Sequence, residues 1–272
     1  MSQIIIFIFL LVFSGCATKR AHQSNAQMIK MLKKKSWHCN ISSTTKFDLN
    51  YCIPNDLTSS KVFNIFIEGD GFSWVTKSEP SLNPTPKNHV ALDIALNQSI
   101  KNKIYISRPC QNVFDKNFRN CDVNYWTNKR LSNDVIFSLN EFLDFAKKKY
   151  HIQKFHLIGY SGGGVTSLLL AANRNDVKLV VTIASNIDTD AWTTYHKIST
   201  LDVINPANLS EKLSKIKQIH YVGQNDQNIP LSIFQSYLHK FQETYNIKVI
   251  SIENNTHSCC WDKLLLNELE TP

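Results

Sequence analysis

Glycine is scarce in this chain. The 272 residues contain eight glycines, where average usage of about 7 % would supply roughly nineteen. Long apolar runs are missing too: the longest, Ile4 to Phe13, falls short of the roughly 20 residues a membrane-spanning helix needs. The first 35 residues hold no acid. No internal repeat, no low-complexity tract and no second Cys/His pair at zinc-site spacing occurs, which argues against repeat arrays and structural zinc modules. No basic stripe interleaved with aromatics is present, which argues against nucleic-acid binding. Glycine tolerates positive φ and close backbone approach, so a chain this poor in it is expected to keep it where nothing else fits. The eight are Gly15, Gly69, Gly71, Gly159, Gly162, Gly163, Gly164 and Gly223, and four of them crowd around Ser161.

The first glycine belongs to a targeting segment. A ten-residue apolar run is followed by Ser14-Gly15-Cys16, a small-residue cleavage site of the secretory kind. Phe13-Ser14-Gly15-Cys16 resembles the lipobox of bacterial lipoproteins, with Phe13 where Leu is usual and no Lys or Arg in Met1-Ser2-Gln3. The resemblance implies cleavage after residue 15 and lipidation of Cys16. A plain signal peptide or an uncleaved anchor is the alternative. Ala17 after the cysteine resembles lipoproteins sorted to an outer membrane, facing the periplasm or the surface.

The net charge of +8 is concentrated at one end. Lys19, Arg20, Lys30, Lys33, Lys34 and Lys35 supply six of the eight charges, leaving residues 36–272 nearly neutral. Residues 16–35 therefore read as a basic tether, suited to anionic headgroups at about 1 kcal/mol per charge or simply solvated. Residues 36–272 read as one domain. Beyond Cys16 there are six cysteines, an even number that suits disulfides in an exported chain. Proximity favours Cys39–Cys52 and Cys110–Cys121, each closing a loop worth roughly 3 kcal/mol. The adjacent Cys259 and Cys260 fit a vicinal bridge or two free thiols; a metal site with His257 is a weaker rival.

Short apolar runs alternate with longer amphipathic ones. Strands are expected at 61–67, 103–107, 155–158, 179–184, 218–222 and 247–252, from β-branched and aromatic content. Helices are expected at 89–100, 131–150, 162–172, 210–216 and 231–245, and after Trp261, from apolar spacing at 3.6-residue period. Strands alternating with helices imply a mostly parallel sheet with helices on both faces, an α/β architecture. Residues 36–53 are expected to add one or two antiparallel edge strands.

Gly159-Tyr160-Ser161-Gly162-Gly163 is G-x-S-x-G between a buried strand and a helix, the setting of a nucleophile elbow. The rival is an ordinary glycine-rich turn cradling a phosphate. A serine nucleophile needs a base oriented by a third group, and on this architecture the order is serine, acid, histidine. His257 follows the last strand in a polar loop, and Asp226 follows the strand at 218–222. His196 is the fallback base; Asp188 or Asp190 could replace Asp226. Glu68-Gly69-Asp70-Gly71 follows the strand at 61–67 and resembles an H-G-x-G oxyanion loop, with Glu68 where His is usual. By that correspondence the second donor is the Asp70 N–H, with Gly71 as neighbour and the Gly162 N–H as the first. The Asp70 carboxylate is expected to turn outward or to bond the loop, because an inward charge would oppose an oxyanion. Glu68 has no role that the sequence explains.

Taken together, these residues resemble the α/β-hydrolase superfamily over about 55–272. Arg108-Pro109-Cys110-Gln111, Asn120-Cys121 and Tyr125-Trp126-Thr127 are similar to stretches of bacterial hydrolase lipoproteins. The resemblance implies an envelope-anchored serine hydrolase of the carboxylesterase or lipase-like kind. It needs no cofactor or metal, and it acts on a small acyl substrate through an acyl-enzyme. A serine peptidase on the same fold, or a lipid-anchored binding protein without turnover, is the alternative. Phe114, Phe118, Tyr125 and Trp126, with Trp192, Tyr195 and His196, are candidates for a shallow acyl pocket or for local packing.

Overall fold

The computed structural model describes residues 20–113 and 119–269. Gly15, Cys16, Phe114 and Phe118 lie outside the described residues, and so does the expected signal segment 1–15. The described chain builds one eight-stranded sheet flanked by helices.

The strands are β1 (Trp37–Ser43), β2 (Asp48–Pro54), β3 (Val62–Ile67), β4 (Lys103–Ile106), β5 (Lys154–Tyr160), β6 (Val177–Ile183), β7 (Lys217–Gly223) and β8 (Ile247–Ile252). Their spatial order is β1-β2-β4-β3-β5-β6-β7-β8. β1 pairs antiparallel with β2, and β2 antiparallel with β4, while β3 to β8 run parallel. The inner parallel strands β3 to β7 are largely buried, as a sheet covered on both faces requires, while β8 lies at the edge and is partly exposed. One face packs against α3 (Asn133–Tyr150), α4 (Gly162–Ala172) and α7 (Leu231–Leu238), through Val135, Leu139, Phe142, Leu168, Phe234 and Tyr237. The other face takes α2 (Val90–Asn97) and the C-terminal segment, through Leu92, Ile94, Trp261 and Leu266. α5 (Thr189–His196) and α6 (Ser210–Leu213) lie between α4 and α7 in the chain.

Residues 20–34 depart from the expected tether: they form a helix, α1, docked on the second face. Met28 and Leu32 are buried there against the α2 side of the core, each worth about 2 kcal/mol of apolar burial. Ser24 Oγ donates to the Pro86 carbonyl at 2.5 Å, and the Arg20 guanidinium lies 3.4 Å from the Phe72 ring. The apolar spacing is present at Ala21, Met28 and Leu32, but small and polar residues hide it. Other helices are shorter than expected, α2 covering Val90–Asn97 of the expected 89–100. α7 ends at Leu238, and the following residues make the turn into β8, with the Ile247 N–H on the Thr244 carbonyl at 2.8 Å. α6 covers four residues. Among the described residues from Trp261 onward there are only short 3₁₀ turns, Trp261–Lys263 and Asn267–Leu269.

Candidate active site

All the loops that carry the predicted residues leave the parallel strands at their C-terminal ends, where open α/β sheets place ligand sites. β5 runs into α4 through Ser161, whose φ of 50° and ψ of −122° put a non-glycine residue in a strained conformation. The turn is tight enough that a Cβ on Gly159 would overlap the Gly163 carbonyl group. Close approach rather than unusual φ explains most of the glycines: among the described ones only Gly71 has positive φ.

Ser161 Oγ lies 3.1 Å from His257 Nε2, and His257 Nδ1 lies 3.0 Å from Asp226 Oδ2. The other carboxylate oxygen of Asp226 accepts the N–H groups of Asn228 at 2.9 Å and Ile229 at 2.8 Å. The Asp226 side chain is fully buried, while His257 is a quarter exposed. The loops after β7 and β8 are bonded to each other, with the Gln224 N–H on the Ile252 carbonyl and the Asn225 N–H on the Asn255 carbonyl, both at 3.0 Å. Serine, histidine and aspartate are thus brought together from three strand ends. The fallback residues are occupied elsewhere. His196 Nε2 bonds the Asn228 carbonyl at 2.8 Å. Asp188 caps α5 and, like Asp190, accepts from Asn205 Nδ2.

The loop after β3 crosses directly over the elbow. Gly69 packs against the Tyr160 ring, and a Cβ on Gly162 would overlap the Asp70 carboxylate. The Asp70 carboxylate neither turns outward nor bonds its own loop, the two expected courses. Its Oδ1 pairs with Arg108 Nη1 at 3.3 Å and its Oδ2 with Arg130 Nε at 2.8 Å. Gly71 sits against the Pro84 carbonyl and the Gln111 amide, and Gln111 Nε2 donates to the Gly69 carbonyl at 2.9 Å. The sequence does not mark Arg108, Gln111 or Arg130 as site residues; the one signal for the arginines is the acid in the loop, which demands a nearby cation.

Glu68 now has a structural account. It is buried, and its Oε1 accepts the N–H groups of Gly69 at 2.9 Å and of Ala91 at 3.4 Å, in the first turn of α2. Its Oε2 accepts from the Tyr105 hydroxyl at 3.2 Å. Burial pushes the carboxyl up to about 7, against the pull of those donors. Glu68 ties the loop after β3 to the start of α2.

The cysteines pair as Cys39–Cys52, Cys110–Cys121 and Cys259–Cys260, all at disulfide distance. The first joins partners across β1 and β2. The second closes the loop that begins at Arg108, and the third lies just beyond His257. The aromatics at 125 and 126 pack locally: Tyr125 meets Phe47 edge-on at 4.9 Å and Trp126 Nε1 donates to the Ser81 carbonyl. Trp192 Nε1 bonds the Asn228 carbonyl at 3.1 Å, close to the Asp226 loop, whereas Tyr195 is exposed. A cavity of about 280 Å³ lies beside the His257 loop, lined by Asp93, Ser258, Cys260 and Trp261 among others. Another of about 440 Å³ lies between Lys129, Ser132 and residues 201–204. Neither is lined by Ser161, which is half-buried.

The comparisons agree with this architecture. The family model described as alpha/beta hydrolase fold matches residues 117–210, a span that contains Ser161 but stops before Asp226 and His257. Among solved structures, an alpha-beta serine hydrolase homologue from Coxiella burnetii is similar at 12 % identity and TM-score 0.57, over 81 % of this chain and 88 % of that one. An esterase of Pyrococcus furiosus is similar at 13 % identity and TM-score 0.58, over 84 % and 87 %. An acylaminoacyl peptidase of Pyrococcus horikoshii is similar at 12 % identity and TM-score 0.55, over 86 % of this chain and 39 % of that one. No curated protein matches by sequence. The chain has the α/β-hydrolase fold.

Proposed function

We propose that the chain is a serine hydrolase that cleaves a carboxylic ester through an acyl-enzyme. The observation that carries this reading is the unbroken line of contacts from Ser161 Oγ to His257 to the buried Asp226, at 3.1 and 3.0 Å. In this reading Ser161 Oγ attacks the carbonyl carbon and His257 Nε2 takes its proton, while Asp226 fixes the imidazole tautomer and stabilises the imidazolium. The Gly162 and Asp70 N–H groups, with Gly71 beside them, receive the oxyanion. His257 then gives the proton to the leaving alkoxide, and a water activated by the same imidazole releases the acid. Gly162 opens α4, so the helix dipole also favours the developing charge.

Esterase neighbours support the ester reading, and the peptidase neighbour, matched over 39 % of its own length, keeps peptide cleavage as the alternative. The lipobox-like Phe13-Ser14-Gly15-Cys16 supports export and lipid anchoring at Cys16 to the cell envelope, with the membrane as the partner. Incorporation of labelled palmitate that Cys16→Ser abolishes is the expected result there.

The test of the chemistry is turnover of a chromogenic short-chain ester and labelling by a fluorophosphonate. Ser161→Ala is expected to remove labelling and to lower kcat by about 10⁴-fold or more. Equal turnover by wild type and Ser161→Ala overturns the assignment.

A further inference from the structure

An unpaired carboxylate beside an oxyanion site works against catalysis. Asp70 nevertheless rests against the backbone of Gly162, in the loop whose own N–H is the second proposed donor. Two guanidinium groups meet it there. Arg130 reaches it through Nε at 2.8 Å and is itself held by the Thr127 carbonyl on Nη1 at 2.7 Å. Arg108 reaches it through Nη1 at 3.3 Å, and its Nη2 donates to the Arg130 carbonyl. Both arginine side chains are more than nine-tenths buried, at 4 % and 9 % exposure, and Asp70 is 21 % exposed. The three charges sum to +1 at the rim of the elbow. Gln111 and the Cys110–Cys121 bridge secure the same segment.

We propose that Arg108 and Arg130 are positioning residues of the oxyanion site. They clamp the Asp70 carboxylate against Gly162 and cancel its charge, so that the two N–H donors face an oxyanion in a net positive surrounding. Like charges a few ångström apart in a site of low dielectric repel strongly. The loss of the clamp therefore acts on the transition state rather than on substrate binding. It also explains why an acid is tolerated in this loop: the acid is the handle by which two buried cations fix it. The inference rests on the serine-hydrolase reading given above.

The experiment uses the full chain, with ester turnover and the rate of fluorophosphonate labelling as readouts. Arg130→Gln is expected to lower kcat and the labelling rate by about 10- to 100-fold with KM changed less than about threefold, since one oxyanion donor is typically worth 10²–10³. Arg130→Lys, which keeps the charge, is expected to lose less than about fivefold, short of the loss of a whole donor. Adding Asp70→Asn to Arg130→Gln should recover about tenfold, because Arg108 is then no longer neutralised by the carboxylate and the surrounding of the oxyanion is net positive again. Thermal melting establishes that each variant is folded; if Arg130→Gln is not, Arg108→Gln carries the test, with a kcat loss of about 10-fold or more expected and a kcat within twofold of wild type overturning the clamp. Arg130→Gln within twofold of wild type, or a double variant no faster than Arg130→Gln, overturns the clamp alone. A wild-type chain inert to both ester and fluorophosphonate overturns the hydrolase reading and the clamp with it.

Discussion

The Tyr160 hydroxyl donates to the carbonyl oxygen of His257 across 2.8 Å. The residue before the serine thereby holds the loop that carries the imidazole. Trp261 Nε1 donates to the same oxygen at 3.1 Å and to the Thr256 carbonyl at 3.0 Å. The Tyr160 and His257 rings lie 5.6 Å apart. Burial, with the nearby Glu68, Asp226 and Asp70 charges, pushes the Tyr160 hydroxyl well above the usual range, so it remains a donor. His257 thus has its imidazole fixed by Asp226 and its backbone fixed from β5 and from the C-terminal segment.

Tyr160→Phe removes one of the two donors to that carbonyl. It is expected to lower kcat by about three- to tenfold, with KM nearly unchanged, because a catalytic group displaced by a fraction of an ångström loses orientation. Stability should fall by about 1 kcal/mol, the net worth of one hydrogen bond. Steady-state kinetics together with urea denaturation check both. A kcat equal to wild type would mean that Trp261 alone holds the loop.

What the sequence made legible was local in origin. α4 and β8 have the bounds that periodicity gives, because each is specified by its own residues. The meeting of Ser161, Asp226 and His257 is legible from order along the chain, since this topology delivers the three loops to one end of the sheet. The features that were not legible depend on distant partners. Arg108 and Arg130 meet Asp70 from 38 and 60 residues away. Glu68 reaches the start of α2, 23 residues on. The helix over 20–34 is stabilised by the pocket it fills rather than by its own pattern. Phe145, spaced as a core residue of α3, is instead 38 % exposed, lying 5.9 Å from the Tyr51 ring.

Glu68 makes stability depend on pH. Its carboxyl is held at about 7, above the ordinary 4.5, chiefly by burial. The folded chain therefore binds this proton more tightly than the unfolded chain. The contribution is fully present below about pH 4.5 and is lost as pH rises through 7. A displacement of that size corresponds to roughly 3 kcal/mol. Glu68→Gln keeps an acceptor for the Gly69 and Ala91 N–H groups and does not ionise. The stability of the variant relative to wild type is expected to rise by about that amount between pH 4.5 and pH 8. Denaturant titrations of both chains across that range measure it, and a constant difference would show that Glu68 is not buried as described.

Gly162→Ala tests how closely the Asp70 loop is seated on the elbow. In a free helix alanine is preferred to glycine by about 1 kcal/mol, so on propensity alone the substitution should stabilise α4. Here the added methyl would overlap the Asp70 carboxylate, which is itself held by Arg108 and Arg130 and cannot swing away cheaply. The variant is expected to lose about 1–3 kcal/mol, the range for overpacking a tight site. Its kcat should fall by at least tenfold, because the two proposed donors are pushed apart. Thermal melting and ester turnover read the two effects separately. A variant that melts higher than wild type and keeps its kcat would mean that Asp70 is not seated on Gly162, and that the strand-end loops have more freedom than their contacts imply.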